Sequence, residues 1–328
     1  MNPRLRKILT GIAFRQEYVC LPLEHLQNPL MVHLTARNST SAMDVTSHHV
    51  FVGYSPAIMA VPFSNGADSA ASEEEMCLGF TNGEFALDSH WKGFPASRRD
   101  VARLAMKRVR EHHFDDVALA FYVGTLGEHR FLNRFYQAVN NRLESAKKKP
   151  VDNVALPGNL YEQVRIAYSI PRLISLISVG DSKSMNLFPT DLHGPLGVYH
   201  YMSSLRIGGK ACEQVESHRR IVISEVDATI YRKVYALGKN HMKELTDPRS
   251  FELHPSASTM LGIPLPLGVV SYRELEWVNY LEIGIHRLYC YRVLHAERIT
   301  ASARLAHVHK YYVQWRENSR LKTEYLFR

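Results

Sequence analysis

The sequence predicts a mainly β protein whose N-terminal part is α+β. Two observations carry this. From Ser169 to Val226 the chain reads, by period, as a β-branched strand, a polar turn, an extended segment from Asn186, a strand ending in Ser203 and Ser204, a short helix and a further strand. Residues 18–35 and 42–63 are also apolar, β-branched runs, broken by Pro and Gly into strand-sized pieces.

Between these two β-rich stretches the pattern changes. Residues 64–75 turn to Ser, Ala, Gly and acid and read as an exposed loop. The segments 76–80 and 84–87 then read as a hairpin, with Asn82-Gly83 giving the turn chemistry. Ser97 followed by Asp100 has the spacing of a capping box, and Val101, Leu104, Ala105 and Val109 repeat at helical spacing, which predicts a helix. Residues 116–124 are too short and β-branched for a second helix and read as a buried strand. Phe131, Phe135, Val139 and Leu143 then mark one face of a helix from about 128 to 147, stopped by Pro150. The expected division is therefore 1–150 and 151–328.

Composition excludes more than it selects. A chain of 328 residues exceeds the roughly 250–300 at which single cores stop growing, so two domains are expected. Hydrophobic content of 45% and charged content of 22% are ordinary for a globular protein. A formal charge of +8, from 40 basic and 32 acidic residues, favours anionic partners. The longest basic run is Lys147–Lys149, which argues against a nucleic-acid partner. The four cysteines form no C-x-x-C pair, so neither a zinc knuckle nor a disulfide scaffold is expected and a reducing compartment is. No stretch approaches the ~20 apolar residues of a membrane span, so no membrane partner is expected and a cytoplasmic location is. The 17 histidines form adjacent pairs at 48–49 and 112–113 and an H-x-H at 307–309, but no Cys, Asp or Glu stands beside them at regular spacing, and no metal site is expected. Hydrolase, P-loop and dinucleotide-fold signatures are missing.

The order of elements from Ser169 onward resembles the flavin reductase-like, FMN-binding split-barrel family. The resemblance rests on a strand, a turn and an N-x-x-P segment from Asn186 to Pro189, a hydroxyl- and base-rich stretch from Ser203 to Lys210, and Gly284-Ile285-His286 before a strand, like the family's G-D-H. It covers about residues 151–328 and implies a split β-barrel there. It also implies an FMN phosphate held by Ser203, Ser204, Arg206 and Lys210, where Gly208 and Gly209 let the backbone approach closely. Without the resemblance this stretch reads equally as a polar strand end. The flavin ring would lie along Asn186, Pro189, Thr190, Asp191 and His193. Asp191 stands where the family has a small hydroxyl residue and His193 where it has an aromatic. His286 is either the catalytic position near flavin or nicotinamide, or a hairpin cap. Tyr311 and Tyr312 lie near the ring or dimer partner, or pack a terminal strand.

The activity implied is hydride transfer from NAD(P)H, a transient donor, to flavin, for which the protein supplies placement rather than an acid–base pair. A non-catalytic flavin-binding or interaction protein would have nearly the same sequence. A proline-led strand, polar turn and Met-Asp or Met-Asn recur at Pro29 and Pro171. The first part is therefore either a degenerate copy of the barrel or an unrelated β-rich domain. Family members pair so that the flavin lies between two barrels, and a homodimer is the expected assembly, with a single-chain pseudo-dimer as the alternative.

Overall fold

The computed structural model describes residues 17–37, 39–64, 73–114, 117–146 and 156–326. Its strands in chain order are β1 (Tyr18–Pro22), β2 (Met31–Ala36), β3 (Met43–Asp44), β4 (Val50–Tyr54), β5 (Ala57–Ser64), β6 (Glu75–Thr81), β7 (Ser89–Trp91), β8 (Phe94–Ala96), β9 (Asp100–Phe114) and β10 (Val117–His129). After two helices, Arg134–Ala146 and Leu160–Ala167, come β11 (Arg172–Leu173), β12 (Ser175–Gly180), β13 (Met185–Thr190), β14 (His193–Pro195) and β15 (His200–Arg206). Helix Lys210–His218 leads to β16 (Arg220–Val226) and helix Tyr231–Ala236. The chain closes with β17 (Leu253–Ala257), β18 (Pro264–Pro266), β19 (Val269–Ile283), β20 (His286–Arg298), β21 (Leu305–His309) and helix Lys310–Asn318.

Two seven-stranded antiparallel sheets dominate, and they share one strand order. The first runs β3-β2-β6-β9-β10-β5-β4 and the second β13-β12-β16-β19-β20-β15-β14. Adding ten to each label of the first gives the second. The long hairpins agree even in size, since β9 and β19 have 15 residues each and β10 and β20 have 13 each. Architecture thus repeats where the sequence offers only the short Pro29 and Pro171 match.

Alternation along the strands explains how the sheets meet. In β15, Tyr201 and Leu205 point into the interior of the second sheet while Met202 points away from it, and in β20 Tyr289 and Tyr291 point inward while Leu288 and Cys290 point outward. The first sheet does the same. Met59 and Val61 of β5 and Tyr122 of β10 face its own core, and Ile58, Ala60, Leu119 and Phe121 face outward. The outward residues of both sheets form one buried apolar layer, joined by Val50, Val52, Leu196 and Leu281. This layer is the seam between the sheets, and the backbone crosses it closely. Ile285 N–H donates to Ser55 O at 3.3 Å, and Gly194 lies so near Val50 that an added Cβ would stand 2.9 Å from its Cγ2.

Packing also crosses residue 150 in the other direction. Helix Leu160–Ala167 lies on β10, where the Asn159 amide accepts from Gly127 N–H at 2.6 Å and donates to Gly127 O at 2.9 Å. Strand β21 sits between β1 and β11 in a three-stranded sheet, which ties the first, middle and last parts of the chain together. Arg316, fully buried, donates to the carbonyls of Gln27 and Asn28 and fixes the last helix on the first sheet's core.

Several expectations need correction. The segment 97–109 is not a helix but the start of β9: Ala102, Leu104 and Met106 face the core in alternation, and pairing with β6 and β10 on both sides overrides the helical propensity of its Ala, Leu, Met, Lys and Arg. The Ser97–Asp100 hydrogen bond is present, with Ser97 N–H donating to Asp100 Oδ2 at 3.0 Å, but it closes a turn that enters a strand. Residues 85–87 form no strand, so β6 has no hairpin partner there; Phe85 instead packs against His33. The helix expected from 128 begins at Arg134, because β10 runs on to His129, and Phe135 is 70% exposed rather than on a buried face. Tyr311 and Tyr312 lie in a helix rather than a strand, where Tyr311 N–H donates to His309 Nδ1 at 3.2 Å and the imidazole caps the first turn. The loop expected at 64–75 and the Lys147–Lys149 run fall largely or wholly outside the described residues.

Gly284, at φ +61°, makes the tight turn between β19 and β20 against the first sheet, and a Cβ there would stand 2.4 Å from both Pro56 Cδ and Ser55 O. Gly284→Ala is expected to destabilise the chain by at least the ~1–2 kcal/mol of a left-handed non-glycine residue. Urea denaturation checks it; an unchanged midpoint would show that this turn does not hold the seam.

Candidate functional site

The residues picked out in sequence separate into three groups. The first is an open corner at the end of β15. Alternation sends Ser203 inward, where its hydroxyl meets Tyr291 Oη at 3.0 Å, and Ser204 toward the seam, where its hydroxyl meets His286 Nδ1 at 3.3 Å. Both serines are buried. Arg206 is exposed, and the chain then turns through Gly208, at φ +82° with open space where a Cβ would be, into helix Lys210–His218. No side chain caps that helix at Gly209. Lys210 is half-exposed and forms ion pairs with Glu213 and Glu244, both at 2.9 Å, whose hydrogen bonds raise its pKa.

The second group is the seam contact of His286. Tyr54 N–H donates to His286 Nε2 at 3.1 Å, so the ring proton resides on Nδ1 and is donated to the Ser204 hydroxyl. The Tyr54 ring meets the imidazole edge-on with centroids 4.6 Å apart. Burial, followed by the charge of Arg206, lowers the His286 pKa to about 4, so the ring is neutral at pH 7. His286 therefore joins the second sheet to the first, which neither motif nor spacing revealed.

The third group comprises the residues expected along a flavin ring, and here each polar group is engaged within the protein. Asn186 donates to Gln214 Oε1 and Asn240 O, both at 2.9 Å, and pins the helix after β15 to the 237–243 turn. Pro189 and Thr190 pair with Leu176 and Ser175, and Thr190 Oγ1 accepts from Leu192 N–H. Asp191 accepts from Tyr168 Oη at 2.7 Å and His307 Nε2 at 2.8 Å; burial opposes its charge, but these two partners hold its pKa below the ordinary value. His193 Nε2 donates to Leu173 O at 3.2 Å while its Nδ1 lies 2.7 Å from Tyr201 Oη, and burial lowers its pKa to about 4.

Around Asp191 the structure adds partners that sequence analysis missed. His307 Nδ1 lies 3.2 Å from Tyr235 Oη, which in turn accepts from Cys20 Sγ at 3.3 Å. Arg172 is buried, donates to Ala167 O, and approaches His49 Nε2 at 3.4 Å. These side chains come from five separated segments. The one available signal, the H-x-H at 307–309, pointed to metal chemistry, and no group of three metal-ligating side chains occurs among the described residues. A polar cleft of about 790 Å³ lies elsewhere, between the base of the β9–β10 hairpin and the helices after it, lined by Trp91, Arg103, His129, Arg130 and Glu162 among others.

No family model and no curated protein matches the chain. Among solved structures it is similar to an FMN-binding protein from Thermus thermophilus, at 17% identity over 47% of this chain and 83% of that one, with a TM-score of 0.38. It is similar to the Streptomyces globisporus NADH:FAD oxidoreductase SgcE6, at 16% identity over 49% and 95%, with a TM-score of 0.40. A third is BorF, the flavin reductase component of a bacterial two-component tryptophan halogenase, at 15% identity over 50% and 96%, with a TM-score of 0.40. Each similarity spans about half of this chain, which is itself mainly β.

Five buried histidines share one electrostatic state. Burial lowers His33, His193, His286 and His309 to about 4 and His49 to about 3. Unfolded, each titrates near 6.5, so between pH 6.5 and 4 the unfolded chain binds more protons and stability falls with pH. The urea midpoint is expected to be constant between pH 7 and about 8, to fall above that as unfolded thiols and phenols ionise while Cys77, Cys290 and Tyr122 stay protonated by burial, and to fall steadily from 6.5 to 4; a flat curve over this last window would contradict neutral buried rings. His286→Ala leaves Tyr54 N–H and the Ser204 hydroxyl without their partner and is expected to cost about 1–3 kcal/mol, read from the same measurement at pH 7.5.

Proposed function

We propose that the chain is an FMN-dependent oxidoreductase of the flavin reductase type, with NAD(P)H as its transient hydride donor. The observation that carries this reading is the open corner after β15. There an uncapped helix N-terminus, a glycine with free space above it, and the exposed Arg206 and half-exposed Lys210 converge next to the seam between two sheets. Oxygen atoms of a phosphate suit such a cradle, since the first-turn N–H groups and the two cations favour negative charge. Bound FMN would supply a ring that accepts hydride from a stacked nicotinamide.

The chain's own residues divide the remaining tasks. Arg206 and Lys210 would hold the phosphate, the latter by exchanging its contacts to Glu213 and Glu244. Ser203 and Ser204 would hold β15 in place through Tyr291 and His286 rather than touch the ligand. His286 would present a neutral ring at the seam. Asn186, Pro189, Thr190, Asp191 and His193 shape the β13–β14 edge, and the side-chain bonds that Asn186, Thr190, Asp191 and His193 make inside the protein argue against their direct contact with a flavin ring. That last observation supports a second reading, a non-catalytic flavin-binding or interaction protein. In either case we read 151–328 as the flavin-bearing part and 1–150 as its companion. The four cysteines, all free and buried, suit a reducing, cytoplasmic setting, and no helix among the described residues is long and apolar enough to cross a membrane.

Replacing Arg206 and Lys210 together with Ala is expected to weaken FMN by about 1.5–3 kcal/mol per lost charge-assisted contact and to leave riboflavin nearly unaffected, as read by fluorescence quenching. Equal losses for both ligands would remove the phosphate assignment. Anaerobic mixing with NADH or NADPH then separates the two readings. Bleaching of the flavin at ~1–10³ per second supports the oxidoreductase. A flavin that stays oxidised with both donors, yet is reduced by dithionite, supports the binding module.

A further inference from the structure

The shared strand order places two connections in corresponding positions, β5 to β6 in the first sheet and β15 to β16 in the second. They differ in chemistry. The second connection carries Lys210 and Arg219 beside Glu213 and Glu216, follows Arg206, and contains the uncapped helix Lys210–His218. The first has no lysine or arginine anywhere from Asn38 to Trp91, and between Ser64 and Glu75 it carries Asp68, Glu73, Glu74 and Glu75. Cations reach it from neighbouring segments, where each meets a carboxylate, as Lys210 does in the second connection. Arg37 pairs with Glu75 at 2.7 Å, Lys107 lies 4.0 Å from Glu74, and Arg108 pairs with Glu111 at 3.0 Å. The strand leading in differs as well, since β5 has Val61 and Pro62 where β15 has Ser203 and Ser204, although β5 ends in Ser64.

Resting on the flavin reading above, we infer that the first sheet is a cofactor-free partner for the second, so that one chain forms a complete two-sheet unit that binds one flavin phosphate. Among the described residues of the first connection Glu73, Glu74 and Glu75 are exposed, and a dianion beside these carboxylates would be repelled. The first sheet nevertheless keeps the surface of a partner. It supplies Val50, Val52, Ile58, Ala60, Leu119 and Phe121 to the seam, and the Tyr54 N–H that fixes His286. The outward face of the second sheet is thus covered by residues of the same chain, in contrast to the homodimer expected from the family resemblance.

Stoichiometric titration of the full chain with FMN, combined with sedimentation equilibrium, tests this. The expected result is one FMN per chain in a species of 37.5 kDa, with Arg206→Ala/Lys210→Ala weakening that site at least tenfold. Two FMN per chain would overturn the inference while leaving the flavin reading intact. One FMN per chain found only in a species of twice the mass would overturn the claim that the first sheet is the working partner. No FMN bound by the full chain would withdraw the flavin reading itself, and this inference with it.

Discussion

The structure depends on one constraint: each large sheet has an apolar outer face that the other sheet covers. A twisted antiparallel sheet has two faces, and here the strands nearest the middle of the molecule are apolar on both. Leu288 and Cys290 alternate with Tyr289 and Tyr291, as Leu119 and Phe121 alternate with Ala120 and Tyr122. Exposed, the outward set would form a patch unsuited to water. Buried in the seam, it makes the two sheets interdependent, and the β1–β21–β11 sheet reinforces this by joining the chain's beginning, middle and end.

Polar groups at the edge of this seam are held in fixed protonation states. Asp191 is kept charged by its two donors, while His193, His286 and His49 are kept neutral by burial, and each ring has defined partners at both nitrogens. Such a network orients strands, because a shift of one residue would leave several buried groups unpaired at once. It also explains why residues that match a cofactor motif in sequence serve the architecture here. Asn186 and Asp191 satisfy buried neighbours, and the corner left open to solvent is the one built from Arg206, Gly208 and Lys210.

The two sheets differ in chemistry more than in geometry. Strand order and hairpin lengths agree, whereas the connection after β5 has acids alone and that after β15 has Lys210 and Arg219 beside Glu213 and Glu216. Strand pairing is fixed by backbone hydrogen bonds and by apolar alternation, which many sequences satisfy. A phosphate cradle needs particular charges at one place, and a few substitutions remove it.

By itself the sequence determined the second sheet's strands. Ile177, Val179, Ile221 and Ile223 are β-branched residues in short runs bounded by turns, and the local signal agrees with the fold. It also placed Ser203 to Lys210 at a strand end followed by a helix. Three things were decided only by tertiary structure. Residues 100–109 became a strand because two neighbours were there to pair with it, although Ala, Leu, Met, Lys and Arg favour a helix in isolation. The doubling of the fold showed in sequence only as the short match at Pro29 and Pro171, because alternation, not identity, is what the two sheets share. The contact of His286 with Tyr54 joins residues 232 positions apart, and no local pattern can encode a hydrogen bond that exists only after two sheets have closed on each other.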